Sequence, residues 1–181
     1  MQIGGGVKWK PISLLSLFEF SKGNQNNMST LQDGDVPLVS AKKCDNGYKC
    51  FISPNSKPLF QGEILTLNLD GDGGAGISYY QPATMALDSH VGALKPILPI
   101  NQYQMLFISR ALTNQGDMFG HGYSINSNRV RSIKIMLPVN DEDNIDFDFM
   151  DSYMREIERT QILTYLNHIH TGRCGTAASY S

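Results

Sequence analysis

Three segments of the chain place positive charge beside amide or aromatic side chains on backbone that favours loops. The first segment runs from Lys22 to Asn27 and includes Asn24 and Gln25. Asparagine and glutamine can make paired hydrogen bonds to adenine, whereas lysine contacts phosphate or guanine. A loop of this composition has the side chains that contact with a nucleic acid would need.

The second segment combines two adjacent lysines with a turn sequence. Lys42 and Lys43 precede Asp45, Asn46 and Gly47, and the Asn-Gly pair predicts a tight turn. The cations would lie at one end of this turn and the amide at its tip. The same two kinds of contact, to phosphate and to a base edge, are therefore possible here.

The third segment covers residues 119–131, where aromatic and imidazole groups stand between glycines and a basic run follows. Taken singly, each of the three segments has the composition of ordinary solvated surface. Their recurrence in one chain favours a surface that contacts phosphates and bases. The candidate DNA-binding residues are Lys22, Asn24, Gln25, Lys42, Lys43, Asn46, His121, Tyr123 and Arg129.

A glycine-rich stretch at 71–76 matches the G-x-G-x-x-G fingerprint of dinucleotide sites. That site needs a helix immediately afterwards, but residues 77–82 are rich in strand formers and end in proline. The stretch also fails as a calcium loop, because Ala75 and Gln81 stand where glycine and glutamate are required. We predict a glycine turn between strands, and a nucleotide- or metal-dependent enzyme at residues 70–76 is the rival hypothesis.

The remaining chemistry-bearing side chains do not form a recognisable pattern. Cys44 and Cys50 are separated by five intervening residues with no second pair, and His90 and His121 are isolated, so we predict no metal site. No nucleophile motif organises the serines, and we predict no catalytic residue and no bound cofactor. The odd number of cysteines, 3, and an N-terminus without a signal-peptide pattern predict reduced thiols in the cytoplasm.

The body of the chain is predicted to be a strand-rich α+β domain. Alternating side chains at 64–69 predict a half-buried strand, and residues 101–112 are typical of a helix entering a core. Residues 130–137 are predicted to form a strand that Pro138 closes, because proline lacks the amide that strand pairing uses. Residues 11–20 fit either a short helix or a strand.

A long helix follows, from residue 147 to about 172, with Asp146 as its cap. Its first apolar set is Met150, Tyr153, Met154 and Ile157. Its second set, the candidate dimerisation residues, is Ile162, Tyr165, Leu166 and Ile169. The second set repeats the first after twelve residues, which turns the apolar stripe by roughly 120°. We expect the first half to pack on its own domain and the second half to pack on a partner.

Charge separates the same two regions. Residues 1–140 carry a net charge of +3, whereas residues 141–158 carry −7, within a chain total of −2. A mildly basic body permits phosphate contact without establishing it. The predicted organisation is a recognition domain at 1–140, an acidic linker and connecting helix at 141–172, and a disordered tail at 173–181.

The order of several short sequences resembles one known family, the target-recognition domains of type I restriction-modification specificity subunits. The matching pieces are the opening at 9–12, the strand at 35–41, the turn at 45–48, the Leu-Pro-Val ending at 137–139 and the helix start at 146–154. Asp45 and Phe147 depart from the residues that are usual in the family. The resemblance covers residues 7–170, with one recognition domain and one helix where the family's full subunit has two of each.

The resemblance implies a non-catalytic, sequence-specific DNA-binding half-subunit. Its expected partners are double-stranded DNA, a methyltransferase subunit that holds S-adenosylmethionine, and a restriction subunit. An identical chain could supply the missing helix, and two-fold symmetry would then require a palindromic target split by an unread spacer. A second rival hypothesis is a truncated interaction protein that occupies the methyltransferase without directing it.

Overall fold

A computed structural model of the chain describes residues 6–70, 74–115 and 124–173. Its strands are β1 (Lys8–Ser13), β2 (Phe18–Lys22), β3 (Asp33–Val39), β4 (Tyr48–Ile52), β5 (Ile64–Asn68), β6 (Ser78–Gln81), β7 (Ala86–Leu87), β8 (Val91–Pro96) and β9 (Lys134–Val139). Its α-helices are α1 (Gln102–Thr113), α2 (Ser127–Ser132) and α3 (Phe147–Arg173). The predicted α+β class is confirmed.

The described strands form three small sheets. The four-stranded sheet has the order β2-β8-β5-β6 and is antiparallel throughout. The second sheet has the order β4-β3-β7, in which β3 pairs with β7 in parallel. The third sheet is the antiparallel pair β1-β9, which joins the N-terminal strand to the last strand before α3. This pairing brings the start of α3 back to the N-terminal strand.

Helix α1 covers the four-stranded sheet and forms the centre of the core. Asn101 caps it, accepting hydrogen bonds from the Tyr103 and Gln104 amides, while Gln104 bonds back to the Asn101 amide. Met105 and Ile108 are buried against the sheet, and the hydroxyl of Ser109 donates to the Ser78 carbonyl at 2.8 Å. The helix predicted at 101–112 is therefore confirmed, with its ends one residue later.

The predicted half-buried strand at 64–69 is fully buried. Residues from Ile64 to Leu69 are all enclosed, and the polar Thr66 and Asn68 are 0% exposed. Because β8 and β6 lie on either side of β5, this strand is central in its sheet. The Thr66 hydroxyl accepts from the Gln81 side chain at 3.4 Å and donates to the Tyr79 carbonyl at 3.2 Å, so polarity at this residue does not mark a solvent face.

The strand predicted at 130–137 is wrong at both ends. Residues 127–132 form α2, which Asn126 caps by accepting from the Asn128 and Arg129 amides. The strand begins at Lys134 and continues through Pro138 to Val139. Proline fits there because alternate residues of an antiparallel pair direct their amides away from the partner strand.

Residues 11–20, for which helix and strand were both open, contain two strands. β1 ends at Ser13, a short 3-10 turn spans Leu14–Ser16, and β2 begins at Phe18. Leu14, Leu17 and Phe18 are at most 1% exposed. The apolar residues of this stretch therefore fill the core at a change of sheet.

The long C-terminal helix is present as predicted. The Phe149 amide donates to the Asp146 side chain at 2.9 Å, which confirms the N-terminal cap. Such a cap stabilises a helix by about 0.5–2 kcal/mol. The helix continues to Arg173, one residue past the predicted end, and the rest of the predicted tail lies outside the described residues. None of the helices in the described part of the chain is both long enough and apolar enough to cross a membrane.

Ion pairs fix the linker between β9 and α3. Asp143 accepts hydrogen bonds from Lys8 and Lys10 of β1, at 2.6 Å from the Lys10 ammonium. Both bonds lower the pKa of the Asp143 carboxyl, and the bond from Lys10 has the larger effect. Its ion pairs therefore stabilise the fold above the ordinary carboxyl pKa, and they are lost as pH falls through the lowered value.

We expect Asp143→Asn to lower the free energy of unfolding at neutral pH and to make no difference at strongly acidic pH. Asparagine tolerates the left-handed backbone at this position, where φ is 67°, so the change tests the charge. Urea unfolding across a pH series measures the effect. Asp141→Asn removes an exposed carboxylate from the same linker and is the matched control. Equal effects of the two variants would contradict a specific role for the ion pairs.

Candidate nucleic-acid interface

Loops that carry candidate residues meet near the carboxyl end of β5, whereas Asn46 contacts β6 beside the amino end of β5. The Asn68 side chain donates to the Lys42 carbonyl at 2.9 Å. The Leu69 amide donates to the His90 carbonyl at 2.9 Å, and the Leu69 carbonyl accepts from the Ile125 amide at 2.6 Å. Segments distant in sequence therefore meet at this end. We call this surface the loop cluster, and its residues are 22–27, 40–46, 53–58, 88–90 and 124–129.

The 22–27 loop is bonded to the end of β7 and the start of β8. The Gly23 amide donates to the Val91 carbonyl at 2.8 Å, and the Asn24 amide donates to the Leu87 carbonyl at 3.0 Å. The backbone approach is close enough that a Cβ on Gly23 would lie 2.0 Å from the Asp88 carbonyl oxygen. Glycine is therefore required where β2 enters the loop.

The lysines of the loop cluster differ in their partners. Lys22 and Lys43 are exposed. The ammonium of Lys42 pairs with Asp45 at 2.7 Å and also donates to the Tyr48 carbonyl. Hydrogen bonding to Asp45 raises the pKa of Lys42, and the same bond, followed by one from the Cys44 thiol, lowers the pKa of Asp45. Lys42 therefore stabilises the 42–48 turn, and its positive charge is balanced by the Asp45 carboxylate.

Asn46 lies at the tip of the predicted turn and contacts β6. Its φ of 52° and the φ of 78° at Gly47 confirm a tight turn with left-handed backbone. Its side-chain amide donates to the Tyr80 carbonyl at 3.2 Å and to Gln81 at 3.3 Å. The amide of Asn46 is thus held against the edge of the four-stranded sheet, although the residue itself is exposed.

Asn24 and Gln25 are far more ordered than a flexible loop would make them. Gln25 is only 1% exposed, and its carboxamide bonds to Asn24 at 3.1 Å and to Asn55 at 3.0 Å. Asn24 is half-buried and donates to the Pro58 carbonyl at 2.8 Å. The predicted amide cluster is real, but Gln25 faces the protein interior in this structure.

The sequence interpretation missed Asn55 and Lys57, which contact this loop from the segment between β4 and β5. The Lys57 ammonium donates to the Asn24 carbonyl at 2.7 Å and to the Asn26 side chain at 2.6 Å. A signal was available, because residues 53–58 combine a cationic side chain with asparagine, as the three chosen segments do. The contact itself spans about thirty residues and has no signature in the sequence.

The third predicted segment is only partly described. Arg129 lies in the first turn of α2 and donates to the Ser124 carbonyl at 2.6 Å. The Ile125 amide joins this segment to the end of β5, so Arg129 belongs to the loop cluster. His121 and Tyr123 lie outside the described residues.

The glycine stretch does not have the surroundings of a nucleotide site. Strand β6 begins at Ser78, where a dinucleotide site would need the start of a helix. The Gly76 amide donates to the Asn68 carbonyl, so the described part of the stretch is a turn between β5 and β6. Residues 71–73 lie outside the described residues. Over the ranges that are described, no three acidic, histidine or cysteine side chains come together as metal ligands.

A second exposed surface lies on α3. Met150 is 0% exposed and packs in the core, and Tyr103 of α1 donates to Glu158 at 2.8 Å, so the start of α3 packs on its own domain. Tyr153 and Ile157 of the first apolar set are nevertheless 45% and 37% exposed. Beyond this point every residue from Arg159 to His168 is exposed. Ile162, Tyr165 and Leu166 are 53%, 65% and 45% exposed, and Ile169 is half-buried.

Comparison with known proteins identifies the family to which this chain belongs. The family model described as the type I restriction modification DNA specificity domain matches residues 6–168. The chain belongs to this family. The specificity domain is also 25% identical over 153 residues to the specificity subunit S.BcgI of the type II restriction enzyme BgcI from Heyndrickxia coagulans. That match covers 83% of the specificity domain and 44% of its relative.

Solved structures share the fold of the specificity domain. The S subunit of a type I restriction-modification system from M. genitalium superposes with a TM-score of 0.62 at 13% identity, over 95% of this chain and 45% of that one. The HsdS subunit from Thermoanaerobacter tengcongensis gives 0.60 at 14% identity, over 88% and 40%. The specificity domain therefore spans less than half the length of each of these relatives.

Proposed function

We propose that the specificity domain is a non-catalytic, sequence-specific DNA-binding half-subunit that directs partner enzymes to a target. The observation that carries the proposal is the convergence of the candidate segments on one loop cluster, which family membership alone does not require. Lys22, Lys43 and Arg129 contribute cations to this surface, and Lys42 contributes a cation balanced by Asp45. Phosphate contacts of this kind fix the position of a protein on duplex DNA.

Base contact is assigned to the polar side chains between these cations. Asn24 keeps one amide hydrogen and one oxygen lone pair beyond its described bonds, since a carboxamide offers two donors and two acceptor positions. Asn46, His121 and Tyr123 join it as proposed contacts in the grooves. Buried Gln25 belongs to the same site, where its carboxamide orients that of Asn24.

The partners of the domain follow from its exposed surfaces. We assign the second half of α3 to dimerisation through Ile162, Tyr165, Leu166 and Ile169, because exposed apolar side chains in a row mark contact sites. A two-fold dimer would bind a palindromic target with an unread spacer. A methyltransferase subunit and a restriction subunit are the proposed enzymes, and S-adenosylmethionine would bind to the methyltransferase.

A second candidate function, an interaction protein that binds the methyltransferase without directing it, is favoured by one specific feature. A groove of about 770 Å³ lies where α3 leaves the domain, and Trp9, Met136 and Tyr153 on its walls are 43–45% exposed. Aromatic and methionine side chains are enriched at protein interfaces. DNA binding by the isolated domain separates the two functions, because a protein with only this role would show none.

We expect Lys22→Ala and Lys43→Ala each to weaken binding to duplex DNA of any sequence. The slope of log affinity against log salt is negative. Each lost phosphate contact should make it less steep by about one, because fewer counterions are released. Fluorescence anisotropy with a labelled duplex at several salt concentrations measures both quantities.

Lys95→Ala is the matched control for this experiment. Lys95 is also exposed, but it lies opposite Glu19, toward the far end of the β2–β8 pair from Lys22. Its removal should leave the salt slope unchanged. An unchanged slope for the Lys22 and Lys43 variants would contradict their assignment to phosphate, and no binding by the parent domain would favour the interaction protein.

A further inference from the structure

The segment 53–58, which joins β4 to β5, makes a concentrated set of polar contacts with the 22–27 loop. Asn55 donates to the Gln25 carboxamide oxygen at 3.0 Å, and Pro58 accepts from the Asn24 side chain at 2.8 Å. Lys57 donates to the Asn24 carbonyl at 2.7 Å. We call residues 53–58 the supporting segment.

Lys57 is the central residue of the supporting segment. Its ammonium reaches both a main-chain carbonyl, that of Asn24, and a side-chain oxygen, that of Asn26. Its own amide donates to the Asn55 side chain at 2.9 Å, which orients the Asn55 amide toward Gln25. Among the ion pairs of the described residues none involves Lys57, so its hydrogen bonds are directed to the loop.

The contacts form a closed chain of carboxamides. Asn55 donates to Gln25, Gln25 donates to Asn24, and Asn24 donates to the carbonyl of Pro58 in the same supporting segment. Because Gln25 is 1% exposed, its carboxamide cannot turn without losing both bonds inside the protein. The orientation of the Asn24 amide is therefore set by the buried Gln25 carboxamide and by the Pro58 carbonyl.

We infer that Asn55 and Lys57 are positioning residues that determine base preference through Asn24 and Asn26. The inference rests on the proposed function, and it deepens it by assigning specificity to residues that hold the 22–27 loop through hydrogen bonds. An amide whose donor and acceptor are fixed in space distinguishes adenine from other bases, whereas a rotating amide presents either group. Loss of the supporting contacts should therefore flatten base preference more than it lowers affinity.

Selection from a randomised pool of duplex DNA, followed by sequencing, tests the inference with the full chain. The wild type should enrich one base at the position that Asn24 contacts. Asn55→Ala and Lys57→Ala should each reduce that enrichment by roughly 5- to 100-fold, the range for one good base contact. Lys57→Arg keeps a charged donor and should restore much of the preference. Lys49→Ala removes an exposed lysine of β4 and is the matched control.

Two results distinguish positioning from direct phosphate contact. The salt slope should be unchanged in Asn55→Ala, although its base preference is lost. If Lys57→Ala lowers the slope by about one and leaves base preference intact, Lys57 contacts phosphate and the inference is overturned. Base preference that survives both alanine substitutions also overturns it.

Hydrogen exchange gives a readout that does not depend on DNA. The Asn24 and Gln25 amides bond to the Leu87 carbonyl, and their exchange should accelerate at least about 10-fold in both alanine variants, because local opening becomes easier. Unchanged exchange would overturn the supporting role of the segment. A wild type that selects no sequence would contradict the proposed function instead, and the exchange result would still decide the role of residues 53–58.

Discussion

Leu166→Glu or Ile169→Glu is expected to convert a dimeric specificity domain into a monomer. Burying a leucine or isoleucine side chain contributes about 1.5–3 kcal/mol, and a two-fold interface loses this contribution twice. The dimer should therefore weaken by about 100- to 10,000-fold, since each 1.4 kcal/mol is tenfold. Sedimentation velocity over a concentration series measures the change.

Helix α3 also offers a control variant that adds the same charge at a polar position. Gln161→Glu introduces the same carboxylate at an exposed polar position of α3 and should leave the dimer intact. Leu166 is 45% exposed in the isolated chain, so its replacement should also leave the β-rich circular dichroism of the recognition domain unchanged. A parent domain that stays monomeric at high concentration while binding DNA would refute the dimer proposal.

Gly23→Ala is expected to destabilise the domain and to displace the 22–27 loop. The new methyl group would lie 2.0 Å from the Asp88 carbonyl oxygen and 2.9 Å from that of Leu87, so backbone has to move. Overpacking of this kind costs typically about 1–3 kcal/mol. The bonds from the loop to Leu87 and Val91 would lengthen, and sequence-specific DNA binding should fall with the stability.

Gly74→Ala is the matched control for this prediction. A Cβ on Gly74 would meet Lys43 at 3.5 Å and Asn68 at 3.7 Å, which are ordinary contact distances. Urea unfolding and DNA titration of both variants measure the two effects. If Gly23→Ala is as stable as Gly74→Ala, the close approach of the loop to β7 does not stabilise the domain.

Local patterns were sufficient where the neighbours that decide a structure are close in sequence. Asp146 marked a helix start because a cap bonds to amides two or three residues away. The turn at Asn46 was predictable for the same reason, since Asn-Gly tolerates left-handed backbone. The failed nucleotide fingerprint was also a local inference, because the strand that replaces the required helix follows directly.

Local patterns failed where burial or pairing came from distant residues. Thr66 and Asn68 were expected to mark a solvent face, but β6 and β8 enclose their strand. Residues 127–132 form a helix that Asn126 caps, although the strand was expected to begin at residue 130. Pro138 can lie inside β9 if its nitrogen faces away from β1, and that depends on the register of the two strands.

The sequence by itself determined the family, the α+β class, the long capped helix and most of the residue types at the proposed site. The tertiary structure alone decided that three separated segments bond to the end of β5, and that Gln25 is buried while Lys22 and Lys43 are exposed. It also brought the unpredicted Asn55 and Lys57 to the 22–27 loop. The physical reason is that hydrogen bonds across thirty or more residues depend on sheet order and register, which a local pattern does not encode.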